Sequence, residues 1–207
     1  MTVPTDYVLS FTAAGLMRVP SANMAALRLK LGDWPSARMR GLEENLLQAR
    51  TPTTGRRIWR ELEARLSSLP LAALQLLVDG TASQQAQILW LALCTRYSLV
   101  AEFAVEVLRE AALFGRRSVL VGDVEAFLHH KASASPKISH LAMTETVRIR
   151  RTLLRMGREA GFLDDGDLAH PQLPDLEVAR AMGAAFLPVW PTCLLTDSGL
   201  MEVRGCL

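Results

Sequence analysis

The sequence predicts an all-α protein, and two observations carry that prediction. Apolar side chains recur at helical spacing along almost all of the 207 residues, whereas the strict alternation of apolar and polar residues that marks strands is almost absent. Half of the residues are hydrophobic and only 6% are aromatic, so the chain has enough aliphatic material to build a buried core. This composition excludes a disordered chain.

Three helices are predicted in the first third of the chain. Proline is tolerated in the first turn of a helix, because that turn does not need its N–H group, and two of the helices begin on a proline. The third carries an apolar residue at every fourth position and therefore has one stripe that packs. The predicted ranges run from Pro20 to about Leu31, from Pro35 to about Gln48, and from Thr54 to Leu66.

The predicted core lies in the middle of the chain. Thr81 and Gln84 have the spacing of a capping box, which marks the start of a helix. The run from Ala86 to Cys94 behind them is apolar nearly all round, so this helix should be the most buried. We therefore expect Trp90 in the core rather than on a surface that stacks on bases.

A further helix is predicted from Leu99 to Phe114, where Gly115 ends it. Glu102 and Glu106 stand one turn apart on it. Paired carboxylates can act as acid and base, but no partner histidine or glycine-rich loop accompanies these two. We expect them at the surface. A short helix near residues 123–130 follows.

The loop Lys131–Pro136 is the best candidate boundary within the chain, because it is built from small and polar residues. It predicts an N-terminal helical bundle over residues 1–131 and a smaller C-terminal unit over residues 132–207. A chain of this length holds at most two such units.

The C-terminal unit shows the order of elements that ends a winged helix-turn-helix. A short helix from Pro136 to about Leu141 precedes a long one from Thr144 to Ala160, which Gly161 stops. Residues 162–168 then read as strand, tight turn and second strand. We therefore predict a helix-turn-helix-like unit with a wing, followed by an acidic tail.

Charge is segregated along the chain. Residues 1–60 carry nine basic and four acidic side chains, and residues 141–163 carry five and two. The segment 164–207 reverses this balance, with two basic and seven acidic side chains. Two basic segments balanced by an acidic end favour a surface that binds a polyanion, although such asymmetry also occurs in proteins that bind none.

The clearest basic feature is an arginine stripe on the predicted helix 144–160. Four arginines fall on one side of this helix, roughly opposite its apolar residues, so the helix can bury one edge and present guanidinium groups with the other. Such a helix suits a DNA groove or a row of phosphates. The alternative is a solvated face partly paired with Glu145 and Glu159. The candidate DNA-binding residues here are Arg148, Arg151, Arg155 and Arg158, together with Lys137 before them.

A second basic set precedes and opens the predicted helix 54–66. Arg57 and Glu61 are four residues apart, so part of this set is expected to pair within the helix. Because Glu61 and Glu63 offset its charge, we expect this set to contribute less to DNA binding than the stripe. Its candidate residues are Arg50, Arg56, Arg57 and Arg60.

Motifs of enzymes and cofactor sites are missing from the sequence. It contains no G-x-G-x-x-G, G-x-x-x-x-G-K-[ST], H-E-x-x-H or G-x-S-x-G pattern. Cys94, Cys193 and Cys206 are too far apart for a metal site, and the adjacent His129 and His130 point to different faces of a helix. We therefore expect no enzymatic activity, no cofactor and no metal.

No apolar run approaches the roughly 20 residues that a membrane-spanning helix needs. The N-terminus places an acidic residue where a secretory signal would place a basic one. We expect no membrane association and a cytoplasmic location.

Several stretches in a fixed order resemble the BrxA family, a small accessory component of the BREX phage-exclusion systems of bacteria. They cover most of the chain and include no catalytic signature. The resemblance implies an all-helical protein, similar in part to the antitermination factor NusB, that binds DNA beside the methyltransferase and ATPase of the system. The matching stretches are Leu9–Met17, Glu44–Arg50, Arg56–Leu62, Cys94–Phe103 and Thr144–Leu163.

Together, the charge pattern and the resemblance predict a non-enzymatic component of a bacterial phage-defence system that binds double-stranded DNA. Other BREX components are further expected partners. The alternative is an adaptor within the defence complex, whose arginines contact acidic protein surfaces and never touch DNA.

Overall fold

The computed structural model describes residues 7–115, 118–172 and 175–205, and within these ranges the fold is all-α, as predicted. The α-helices are α1 (Arg18–Leu31), α2 (Trp34–Glu43), α3 (Pro52–Leu66), α4 (Leu71–Asp79), α5 (Ala82–Arg96), α6 (Ser98–Phe103), α7 (Glu110–Leu113), α8 (Val121–Ala134), α9 (Pro136–Ser139), α10 (Met143–Glu159), α11 (Leu176–Met182) and α12 (Asp197–Gly205). Two 3-10 helices, Ser10–Ala13 and Ala184–Cys193, and a π-helical segment, Ala104–Arg109, complete the fold.

Local signals in the sequence set where several helices begin. Thr51 caps α3 by accepting a hydrogen bond from the Thr54 N–H group, and Pro52 occupies the first helical position. The predicted capping box of α5 is present, with Thr81 and Gln84 each bonding the backbone of the other. These caps satisfy N–H groups that the first turn of a helix leaves without an intrahelical partner.

Helix α2 is shorter than predicted, because it ends at Glu43 rather than near Gln48. The chain then turns, with Asn45 and Gln48 both at positive φ, and the Asn45 side chain bonds the backbone of Ala49 at both its N–H and its carbonyl group. Asparagine tolerates this conformation and competes with the helix for backbone hydrogen bonds.

The core is a single cluster of buried apolar side chains to which nearly every helix contributes. Trp90 of α5 is fully buried, as predicted. Its indole N–H donates to the Thr192 carbonyl over 2.9 Å, and its ring lies 5.0 Å from that of Phe162. The cluster thus includes side chains from both sides of residue 131, and the division into units 1–131 and 132–207 stays a prediction.

The predicted loop at Lys131 is wrong in extent, because α8 continues through it to Ala134. Lys131 is buried, and its Nζ atom lies 2.8 Å from Glu102 and 2.7 Å from Glu106. Tyr7 donates a further hydrogen bond of 2.7 Å to Glu102. Small residues after Lys131 resemble a loop in sequence, but a buried partner for its charge keeps this turn helical.

The surface position predicted for Glu102 is therefore wrong, whereas Glu106 is largely exposed, as expected. A carboxylate can be buried when a cation and a hydroxyl group satisfy its oxygens. Burial raises the pKa of Tyr7, and its hydrogen bond to Glu102 raises that pKa further.

At the predicted wing the structure contains one β-bridge, between Leu163 and Ala169. Gly161 ends α10 with a positive φ of 80°, as expected for a helix stop. The Asp164 carboxylate accepts hydrogen bonds from the N–H groups of Gly166 and Leu168, which closes the turn. A complete wing and the likeness to NusB stay predictions.

In the three described ranges, no single helix combines the length and the apolar character needed to cross a bilayer. Helix α5 and the helical run Ser98–Leu113 reach that length and composition only together, and the chain bends by 115° between them.

Candidate nucleic-acid interface

Helix α10 presents the predicted arginine stripe. Its apolar edge is anchored in the core by Ile149, Leu153 and Met156, which are all buried. The four arginines of the stripe are exposed on the other side: Arg148, Arg151, Arg155 and Arg158. The amphipathic pattern in the sequence therefore predicted this helix correctly.

Three of the four arginines in the stripe already have a carboxylate partner. Arg148 lies 3.5 Å from Glu145, Arg155 lies 3.7 Å from Glu159, and Arg158 lies 2.5 Å from Asp167. Arg151 makes no ion pair with any described residue. The pairs of Arg148 and Arg155 are exposed and weak, so a competing anion can displace their carboxylates, whereas Asp167 beside Arg158 is half-buried.

Helix α3 exposes the second predicted set. Arg56, Arg57 and Arg60 all point into solvent, while Leu62 and Leu66 of the same helix are buried. Within the described part of the chain, none of these three arginines forms an ion pair. Their charge is thus fully available to an external anion.

The predicted pairing of Arg57 with Glu61 is wrong. Glu61 is 7% exposed and bonds the equally buried Arg65 over 2.9 Å, and it also accepts a hydrogen bond from the Tyr97 hydroxyl group. Burial alone would raise the pKa of Glu61, but these contacts outweigh it and hold the pKa below its usual value. The carboxylate stays charged and is turned away from Arg57.

Glu63 does not offset the exposed set either. Its carboxylate forms a bidentate ion pair with Arg38 of α2 and accepts a 2.9 Å hydrogen bond from the Trp59 indole. Both glutamates of α3 are therefore committed to other partners. The expectation that they neutralise the arginines of this helix is overturned.

The remaining two candidates lie outside helices α3 and α10. Arg50 is exposed at the end of the turn that precedes α3. Lys137 is exposed on α9, which packs against α8. Lys137 is not among the residues that line the groove along the stripe.

Between α3 and α10 lies the N-terminal strap, which we define as residues 7–16. Its 3-10 helix packs against both helices. Arg65 of α3 donates to the carbonyl groups of Ala14 and Gly15, over 3.2 and 2.7 Å. On the other side, the Leu16 N–H group donates to Glu159 of α10 over 2.5 Å.

The strap also forms one wall of a surface groove along the stripe. Thr12 of the strap lines this groove with Arg148, Arg151 and Arg155, and the Arg148 guanidinium lies 3.5 Å from the Thr12 carbonyl group. A second groove, between α2 and α3, is lined by Arg56, Arg60 and Arg38 among others. Each basic helix therefore borders a groove.

Sequence reasoning missed Thr12 and Arg38 as members of this surface. Thr12 contacts α10 across 136 residues of sequence, and Arg38 meets Glu63 across 25. Contacts over such separations leave no periodic signal. The only signal near Thr12 is its place in the first of the stretches that resemble a known family.

Comparison with known proteins now identifies that family. Residues 5–182 match the sequence model of the family described as BrxA. This chain belongs to the BrxA family. A curated relative, the "BREX protein BrxA" of Escherichia coli O9:H4 (strain HS), is 24% identical over 120 residues. That alignment covers 58% of this BrxA-family chain and 56% of the relative, little more than half of its length.

A solved structure shares the fold of this BrxA-family chain. It is the crystal structure of an uncharacterized protein from Magnetospirillum magneticum, with a TM-score of 0.78. The match covers 92% of this chain and 98% of that chain at 18% sequence identity. The arrangement of helices described above is therefore shared over nearly the whole of both chains.

Proposed function

We propose that this chain is a non-enzymatic, double-stranded-DNA-binding component of a BREX phage-defence system. Membership of the BrxA family and the name of the E. coli relative support the assignment to that system. The observation that carries DNA binding is the set of exposed arginines on α3 that form no ion pair with any residue the structure describes. Other BREX components are proposed partners, and the cytoplasm, where DNA is found, is the proposed location.

DNA binding follows from the electrostatics of these arginines. Each guanidinium that neutralises a phosphate releases counterions condensed on the duplex, and this release drives association. Among the described residues, Arg56, Arg57 and Arg60 have no carboxylate partner that DNA would have to displace, so their full charge can act on the phosphates. On α10, Arg151 is equally available, and its neighbours hold only exposed carboxylates.

The proposed binding is largely independent of base sequence. Neither α3 nor α10 contains an asparagine or glutamine, the side chains that read adenine in the major groove. Contacts to phosphates position a protein on DNA without reading its sequence. The order of α9, α10 and the bridge at Leu163 supports a winged-helix-like unit in this role.

A salt titration tests the proposal. Labelled duplexes of unrelated sequence are mixed with the full chain at salt concentrations from about 50 to about 200 mM. The dissociation constant is measured by fluorescence anisotropy at each concentration. We expect similar affinities for all duplexes and a log–log slope of about −0.9 for each phosphate contacted. The duplexes should be recovered chemically unchanged.

Failure to bind any duplex at the lowest salt, or binding that does not depend on salt, would contradict the proposal. In that case the arginines would instead indicate an acidic protein partner, and the adaptor function would replace DNA binding. A duplex that is cut or modified during the incubation would contradict the non-enzymatic role.

A further inference from the structure

The two basic helices lie on either side of the strap, and their helical phases show which way their arginines point. On α3, Arg65 donates a hydrogen bond to the strap backbone and Glu61 accepts one from Tyr97, which packs against the strap. Successive residues of a helix are rotated by about 100° around its axis. Around the axis of α3, Glu61 and Arg65 therefore lie between the buried Leu62 and the exposed Arg57. The strap therefore lies beside α3, between its core face and its arginine face.

Helix α10 meets the strap in the same way from the other side. Arg148 and Glu159 are the α10 residues whose side chains reach strap backbone atoms. With the same rotation per residue, both lie between the buried Met156 and the exposed Arg151 around the axis of α10. Here too, the strap lies between the core face and the arginine face.

The strap has a buried and an exposed side of its own. Phe11 is fully buried, and its ring lies 5.6 Å from that of Tyr97 in the core. Ser10 is exposed, and Thr12 and Ala13 are half-buried. With the core beneath all three elements, the arginine faces of α3 and α10 open on the same side of the molecule. The small, uncharged side chains of the strap form the floor between them.

The width of this surface suits a duplex. Packed α-helices lie about 8–10 Å apart. With the 3-10 helix of the strap between α3 and α10, we expect the axes of these two helices to lie no more than roughly 16–20 Å from each other. The grooves of B-DNA are about 6 and 12 Å wide. Arginine side chains extending from both helices can thus reach phosphates on the two sides of one groove.

We propose that a single DNA duplex binds across the N-terminal strap, with phosphates on one strand held by the α3 arginines and phosphates on the other by the α10 arginines. This inference rests on the proposed function and adds to it where the duplex lies. Thr12 becomes part of the contact surface. The two arginine sets act as one site, not as two sites that could hold separate duplexes.

Two double variants and their combination test this geometry. Arg57→Ala with Arg60→Ala removes the arginines of α3 that lie nearest the strap, and Arg151→Ala with Arg155→Ala removes two from α10. The matched control, Arg180→Ala with Arg204→Ala, removes two exposed arginines from α11 and α12. Affinity for one duplex of about two helical turns is measured against salt for the full-length protein.

Each double variant should flatten the salt slope by about 1.8 and weaken binding on the order of 50-fold at 0.1 M salt, because two phosphate contacts are lost. The combined variant should flatten the slope of log affinity against log salt concentration by about twice as much. The control should change affinity by less than about threefold. The unchanged protein should bind one duplex per chain.

Independent sites give a different result. If each double variant lost only about twofold in affinity, and the unchanged protein captured two differently labelled duplexes at once, the single-site geometry would be overturned. Loss of binding from only one of the two double variants would also overturn it. An unchanged protein that binds no duplex overturns the proposed function itself.

A substitution in the strap tests the path of the duplex directly. Thr12→Glu places a carboxylate on the floor of the site, and Thr12→Gln places a neutral side chain of the same size there. We expect the glutamate variant to bind at least tenfold more weakly than the glutamine variant, since a like charge on the floor of the site repels the phosphates. Equal affinities of these two variants would show that the duplex does not cross the strap.

Discussion

Helices α3 and α10 both carry a row of exposed arginines opposite an apolar stripe, but they differ in how these arginines pair with carboxylates. In helix α3, Glu61 pairs with Arg65 and Glu63 with Arg38, and the outer arginines form no ion pair within the described ranges. Helix α10 keeps Glu145 and Glu159 at the surface beside its arginines. Spacing of opposite charges along a helix thus leaves the pairing open. Glu61 has an arginine four residues away on each side and pairs with the buried Arg65, whereas Glu63 pairs with Arg38 on another helix.

The largest expected effect concerns the inward side of α3. Glu61→Gln removes the negative partner of Arg65, which is 2% exposed. Breaking a buried ion pair in this way costs about 3–5 kcal/mol of unfolding free energy, because the remaining charge stays buried. Urea denaturation followed by circular dichroism measures it.

The matched control for this variant is Glu145→Gln on α10, which breaks an exposed pair and should cost no more than about 0.5 kcal/mol. Equal, small losses from both variants would mean that Glu61 pairs at the surface with Arg57 after all. The contrast between the two helices would then disappear.

The pH dependence of stability sharpens the same contrast. The pKa of Glu61 is lowered in the folded state, so its stabilising contribution is complete above its unfolded pKa of about 4.3 and is lost as pH falls through the folded-state value. The stability difference between the unchanged protein and Glu61→Gln should therefore be largest near pH 7 and shrink toward pH 3. Urea unfolding at pH 7, 5 and 3 measures this difference, and a constant gap would contradict the assignment.

A smaller effect is expected in DNA binding when α10 is made to resemble α3. Glu145→Gln frees Arg148 from its 3.5 Å partner and should raise the affinity for duplex DNA about twofold, the value of one exposed helical pair. Glu110→Gln, at an exposed position of α7, is the control for the change in net charge. If the control raises affinity as much, the gain comes from overall charge and not from the release of Arg148.

The smallest expected effect is on stability at the outer arginines. Arg151 is exposed and makes no ion pair with the described residues, so Arg151→Ala should shift the unfolding free energy by less than about 0.5 kcal/mol. Thermal unfolding measures this shift. A larger loss would show that Arg151 supports the fold, which would weaken its role as a free contact.

Sequence periodicity predicted the helices because each signal is local. The capping box at Thr81 and Gln84 and the stop at Gly161 are read within a few residues, and both are present. The apolar run around Trp90 was long enough to mark a buried helix. Fold class and the exposure of both arginine rows could therefore be predicted.

Partners that lie far along the chain could not be predicted. Glu61 meets Tyr97 across 36 residues, and Lys131 meets Glu106 across 25. The buried Glu102 looks like an exposed glutamate in sequence, since the cation and the hydroxyl group that satisfy it, Lys131 and Tyr7, lie on other segments of the chain. For the same reason the strap, whose contacts are the most distant of all, left no trace in the pattern of the chain.

The distances along the chain between the strap and its partners also determine when, during synthesis, the surface formed by α3, the strap and α10 can assemble. The contacts of the strap reach forward by 95 residues from Tyr7, by 136 from Thr12 and by 143 from Leu16. Ribosomes add about 5–20 residues per second, so the strap emerges on the order of ten seconds before α10 exists. A nascent chain therefore cannot complete these contacts until residues 148–159 have been made, and α3, the strap and α10 cannot be held together before that point.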